Sequence, residues 1–128
     1  MKSQLLTLIA LLLLLTNSLY AQEDIRYSIQ LKSGSVIPEK NISAEKLNEF
    51  NQRSLRVEQK AFAVIQFQDI LTEVEKLELK QSGIELLEYI PNYAYTVTIS
   101  GGLDNAVLEQ TGARAFLEIG RASCRERV

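Results

Sequence analysis

The 128-residue chain contains no histidine, no tryptophan, one cysteine and two prolines. Without histidine it holds neither a Ser-His-Asp nor a Cys-His catalytic set, and no imidazole metal ligand. The single thiol, Cys124, lies close to the C-terminus, so disulfide scaffolds and thiol clusters are excluded as well. No cofactor or metal is expected, and neither is covalent chemistry. Basic residues are also scarce in the central part. Setting aside residues 1–21 and 119–128 removes Lys2, Arg121, Arg125, Arg127 and Glu126. That leaves ten basic against fifteen acidic residues, a net charge of −5 in place of the −2 of the whole chain. Phosphate contacts require clustered Lys and Arg, so nucleic acid is not an expected partner.

Both ends differ in character from the middle. Lys2 precedes an apolar run, Leu5 to Leu15, broken only by Thr7, and Asn17, Ser18 and Ala21 follow as a polar, small-residue end. This is the layout of a secretory signal peptide cut after Ala21. The run is shorter than the roughly 20 residues a membrane span needs, so no stable membrane insertion is expected after cleavage. The mature chain is expected to be secreted or periplasmic. At the other end, EIGRASCRERV places three arginines and the only cysteine within its last eleven residues. Back-translated, that stretch is similar to a common short-read sequencing adapter in one frame. Residues 119–128 are therefore expected to be adapter-derived, and the natural frame to continue past Leu117.

Between these ends, residues 22–60 read as an N-terminal arm. Tyr27, Ile29 and Leu31 alternate with polar residues before a Ser33-Gly34 turn, as in a hairpin arm. Ser43 is placed to cap a helix over Ala44 to Arg53, with Ile42 and Leu47 as a hydrophobic staple. Asn41-Ile42-Ser43 is formally a glycosylation acceptor, a pattern short enough for chance. Residues 61–118 then read as an incomplete module. AFAVIQF is a strand, Thr72-Glu73-Val74-Glu75 is a capping box, and Gly83 ends the helix that it opens. Leu71, Val74 and Leu77 share the side of that helix expected to pack inward. IELLEYI and AYTVTIS flank a Pro91-Asn92 turn. A short helix lies within Leu103 to Thr111, and ARAFL is a last strand expected to be truncated. The order strand, helix, strand, strand, helix, strand predicts an α+β, ferredoxin-like fold with an antiparallel sheet.

A hairpin around Pro91-Asn92 that pairs Leu87 with Thr96 sorts the side chains by alternation. Phe62, Val64, Leu87, Tyr89, Ala94, Thr96 and Thr98 are then expected on the face opposite the helices. An apolar patch on such a face marks a partner surface, unless the Ala44 to Arg53 helix covers it.

The stretch Gly83 to Ile99, GIELLEYIPNYAYTVTI, resembles the propeptide of secreted bacterial subtilisin-like serine proteases; the likeness is good over Ala61 to Leu117 and loose over Ile25 to Lys60. The resemblance implies a folding assistant and temporary inhibitor, whose open sheet face docks on two surface helices of a protease domain. That partner domain, in cis in a longer protein, is not in this chain, and neither is the extension that would enter its substrate cleft. Carried over, the seven open-face residues become partner contacts, and Glu85 and Glu88 become carboxylates for enzyme helix N-termini. The alternative is a ferredoxin-like binding or self-association module of another secreted protein. This fragment is not expected to be an enzyme.

Overall fold

A computed structural model describes residues 1–10 and 25–119 of the chain. Residues 2–10 are helical, and no helix among the described residues is long and apolar enough to cross a membrane. The polar end of the expected signal, its cleavage site and residues 120–128 of the C-terminal tail lie outside the described residues.

The elements in chain order are β1 (Ile29–Leu31), β2 (Gly34–Val36), α1 (Ala44–Arg53), β3 (Arg56–Val57), β4 (Lys60–Phe67), α2 (Glu73–Gln81), β5 (Ile84–Ile90), β6 (Ala94–Ser100), α3 (Asn105–Gln110) and β7 (Ala113–Glu118). β1 and β2 form a separate hairpin; the other five strands make one antiparallel sheet. In that sheet β4 is central. It pairs with β6 on one side and with β7 on the other, and β5 lies outside β6. From β4 onward the chain is thus a β-α-β-β-α-β unit of spatial order β7-β4-β6-β5, the ferredoxin-like arrangement. β3 adds a two-residue extension on the β7 side of β4, which makes the sheet five-stranded. The last strand, expected to be cut short after Leu117, runs six residues and pairs with β4 from Ala63 to Phe67.

Local chemistry accounts for the helix boundaries. Ser43 Oγ accepts from Lys46 N at 3.3 Å, opening α1 where the sequence places it. At α2, Thr72 Oγ1 accepts from Glu75 N at 3.3 Å while Thr72 N donates to Glu75 Oε2 at 2.7 Å. Two otherwise orphaned N–H groups are satisfied reciprocally, which is the capping box. These bonds favour the ionised Glu75 carboxylate and hold it below the usual carboxylate range, the Thr72 backbone N–H first and its side chain second. Gly83 ends α2 at φ +88, and a Cβ there would run into the Ser100 carbonyl oxygen. Only glycine meets both conditions without strain.

The main core fills the helix side of the sheet. Leu47 and Phe50 of α1, Leu79 of α2 and Leu108 of α3 pack with Ala63, Ile65, Phe67, Val97 and Ile99. Phe50 meets Phe116 edge-on, with ring centroids 5.5 Å apart. One alternative is removed here and one expectation is corrected. α1 does not fold over the open face, because its two buried residues, Leu47 and Phe50, belong to the helix-side core. In α2 it is Leu79 that is buried, with Leu71 just before the helix; Val74 and Leu77 are 67% and 54% exposed. Leu71, Glu75 and Leu79, four residues apart, lie along one side of the helix, and Val74 and Leu77 fall outside it.

Candidate functional site

The helix-free face of the sheet consists of three cross-strand rows. Phe62 pairs with Thr98, which pairs with Glu85; Leu117, Val64, Thr96 and Glu88 form the second row. Ala115, Gln66, Ala94 and Ile90 form the third. The expected Phe62, Val64, Ala94, Thr96 and Thr98 all lie in these rows.

Leu87 and Tyr89 do not behave as expected. The pairing of β5 with β6 follows the expected register from Ile84 to Leu86, then slips by one, so that Glu88 pairs with Thr96 and Tyr89 with Tyr95. Leu87 is the unpaired extra residue of a β-bulge. A one-residue slip moves every later side chain to the other face, so Tyr89 shares the helix side with Tyr95, at a ring-centroid distance of 5.1 Å. The slip originates in the turn. Ile90 pairs with Ala94 across a three-residue loop in which Asn92 and Tyr93 have φ of 71 and 66. The Thr96 hydroxyl accepts from Glu88 N at 3.1 Å and so satisfies the backbone displaced by the bulge.

The N-terminal hairpin covers half of this face. Ile29 of β1 is fully buried against Val64 and Ala94, with Leu31, Ile90 and Leu117 around them. Val64 and Ala94 are accordingly buried; Thr98, outside this cluster, is buried too, Phe62 and Thr96 are half-buried, and Glu85, Leu87, Glu88 and Tyr89 are exposed. Of the seven expected contact residues, Val64, Ala94 and Thr98 have no surface left for a partner, the first two because the hairpin lies on them.

A polar clasp fixes the hairpin. The buried Gln66 amide donates to Tyr27 O at 2.9 Å and to Asn92 O at 3.0 Å, and its Oε1 accepts from Arg114 Nη1 at 2.6 Å. Arg114 Nη1 also donates to Pro38 O at 3.0 Å, and the guanidinium lies over the Tyr27 ring, 3.9 Å from its centroid. Asn92 Nδ2 donates to Ser28 O, and Tyr27 Oη to Gln68 O at 3.2 Å. Arg26 lies over the Tyr93 ring at 5.2 Å. A hydrogen bond to the Tyr93 side chain, then the charges of Tyr93 and Tyr27, raise its already high pKa further. None of Gln66, Arg114 and Asn92 stands out in the sequence as a site residue. A glutamine inside the apolar AFAVIQF run was the available signal, because a buried amide must find partners.

The two outer edges of the sheet differ. On β7 the Asn41 side chain acts as a short strand: Nδ2 donates to Phe116 O at 2.9 Å and Oδ1 accepts from Phe116 N at 2.9 Å. Asn41 N donates to Arg114 O at 3.2 Å. A glycan on Nδ2 would break this pairing. No strand pairs with the outer edge of β5 among the described residues. Those residues hold no metal-ligating group of three or more His, Cys, Asp or Glu side chains.

Fold and site together define an α+β, ferredoxin-like module whose helix-free face is clasped by a hairpin from its own N-terminal arm. The chain belongs to the family described as a domain of unknown function (DUF8729), which matches residues 30–120 and so takes in arm and module together. No curated protein and no solved structure matches it.

Proposed function

We propose that the chain is an exported docking module, the propeptide of a subtilisin-like serine protease, which assists the folding of that protease domain and inhibits it until removed. The observation that carries this reading is the uncovered half of the sheet face. There Phe62 and Thr96 are half-buried and Glu85 and Glu88 stand exposed, an apolar centre with carboxylates at its rim. Exposed carboxylates suit the N-termini of partner helices. The sheet order and the placement of α1, α2 and α3 on the opposite side support the same reading, and the likeness of Gly83 to Ile99 to such propeptides supplies the partner.

The contact set is narrower than the sequence suggested: Phe62, Thr96, Glu85 and Glu88, with Leu87 at the bulge. The unpaired edge of β5, carrying exposed Leu87, favours a second reading in which the module binds by strand addition to another chain or to its own copy.

The test begins with the DNA at the source locus. Reading past Leu117 should recover a downstream domain with catalytic Asp, His and Ser; a stop codon or an unrelated domain there overturns the protease reading. With that domain in hand, the full chain should slow its hydrolysis of a chromogenic peptide. Phe62→Asp, which buries an unpaired charge in the contact, should abolish the effect. Equal inhibition by Phe62→Asp and the parent chain would remove the sheet face from the interface.

A further inference from the structure

α2 carries apolar side chains on the side turned away from the sheet. Leu79 is fully buried, whereas Val74 and Leu77 are mostly exposed, and so is Ile70, two residues before the Thr72 cap. At 3.6 residues per turn Leu77 stands roughly 160° round the helix from Leu79, on its outer side and not at the margin of the core. Single apolar residues on a surface are ordinary. Ile70, Val74 and Leu77, however, follow the four-then-three spacing that apolar positions take along a helix-pairing seam. Glu73 and Lys80 flank this line on one side, one heptad apart, and both are exposed. Glu73 accepts from Lys76 Nζ on Oε1 at 2.8 Å, which leaves Oε2 for another cation. Lys80 belongs to none of the ion pairs among the described residues.

This pattern is complementary to itself. Let two copies of α2 lie antiparallel about a two-fold axis midway between Val74 and Leu77. Val74 of each copy then meets Leu77 of the other. Glu73 of each lies about 3 Å along the axis from Lys80 of the other, an offset that both side chains can span. A parallel arrangement would instead set Glu73 beside Glu73 and Lys80 beside Lys80, so the charges select the antiparallel one. We propose that α2 is a contact between two copies of this chain, packed antiparallel through Val74 and Leu77 and fixed in direction by two Glu73–Lys80 pairs. Such a contact is isologous and closes at two copies. Two helical turns bury well under the roughly 1,200 Å² at which stable interfaces begin. The pair is therefore weak, with a Kd on the order of 0.1 mM. At low micromolar concentration the chain is a monomer, and the helix-free face stays available in either state. The inference stands independently of the protease reading.

Sedimentation equilibrium of the full chain tests the contact over concentrations from about 10 μM to about 1 mM, a range that brackets the expected Kd. A reductant keeps Cys124 from cross-linking copies. Every variant retains the apolar run Leu5 to Leu15, so differences among them report on α2. The parent should approach twice the monomer mass. Leu77→Ser should weaken association roughly tenfold by removing the apolar centre. Glu73→Lys and Lys80→Glu should each weaken it by roughly the same factor, since each sets like charges against one another. Mixed in equal amounts, these two reversals should associate about as well as the parent, because one copy is then basic at both positions and the other acidic at both. That recovery also shows that neither reversal acts by unfolding α2. A parent that stays monomeric throughout the range overturns the contact. A mixture no more associated than either reversal alone overturns the antiparallel pairing. Association of Leu77→Ser equal to that of the parent removes α2 from the interface and assigns it to the edge of β5.

Discussion

The two faces of the sheet are held by different forces. Among the described residues, fifteen buried apolar residues form one continuous core on the helix side, whereas the cluster beneath the hairpin has three, Ile29, Val64 and Ala94. The hairpin depends instead on a few directional contacts centred on Gln66 and Arg114. Apolar burial is roughly proportional to area and does not rest on any one contact, but a polar clasp fails when one member is removed. The hairpin and the module are therefore expected to separate in stability, the hairpin opening first.

The largest expected effect is on the helix side. Phe67→Ala should lower global stability by about 3–5 kcal/mol in a urea titration, since it leaves a cavity in the main core. A loss well below that range would mean that the core on this side is looser than its packing suggests. Gln66→Leu tests the other half of the comparison. It removes one of the two acceptors of Arg114 and takes the Gln66 donor from two part-buried carbonyls, at a cost of about 1–3 kcal/mol. That loss should appear as faster amide exchange in Ile29 to Val36, with β4 and α2 protected as before. Equal acceleration throughout would show that the two faces unfold as one unit.

Thr72→Ala should cost about 1 kcal/mol by removing the cap of α2, again without touching the hairpin. Its pH dependence has a definite sign. The folded Glu75 carboxyl titrates below its ordinary 4.5, so its contribution is complete above that pH and is lost as pH falls through the lower folded value. The gap between the parent and Thr72→Ala should narrow in acid, and a gap that widens below pH 4.5 would contradict the reciprocal bond. The smallest effect belongs to Val74→Ser, expected to change stability by no more than about 0.5 kcal/mol because the side chain faces solvent. A cost of 2 kcal/mol or more would return Val74 to the core.

Much of the architecture is legible in local chemistry. Ser43, the Thr72 to Glu75 box, Gly83 and Gly112 mark helix boundaries, and each of these signals acts within a few residues of the backbone that it fixes. The unit from β4 to β7 follows from the order of those elements. The register of β5 does not, because the bulge at Leu87 contains no glycine and Tyr93 adopts a positive φ that its residue type gives no reason to expect. The turn at Glu58-Gln59 escapes for the same reason: both residues have positive φ without the usual Asn-Gly pair. Within α2, Val74 and Leu77 read as inward only because they are apolar. Which side of the helix faces the sheet is decided by Leu71 and Leu79 in the core. The clasp over the sheet face was the least legible part. It joins Tyr27, Gln66, Asn92 and Arg114, which lie far apart in the chain, and no local pattern encodes such a meeting.

The Asn41 side chain, seated against Phe116 like a one-residue strand, limits how the molecule can associate. It occupies the edge of β7 at Phe116 and Arg114, whereas the edge of β5 has no strand beside it among the described residues. An object with one adhesive edge and one blocked edge terminates its own growth. Two copies that meet edge to edge satisfy each other and leave nothing for a third, so association through the sheet yields pairs and not filaments. Asn41→Ala would turn a chain terminator into a link with two ends.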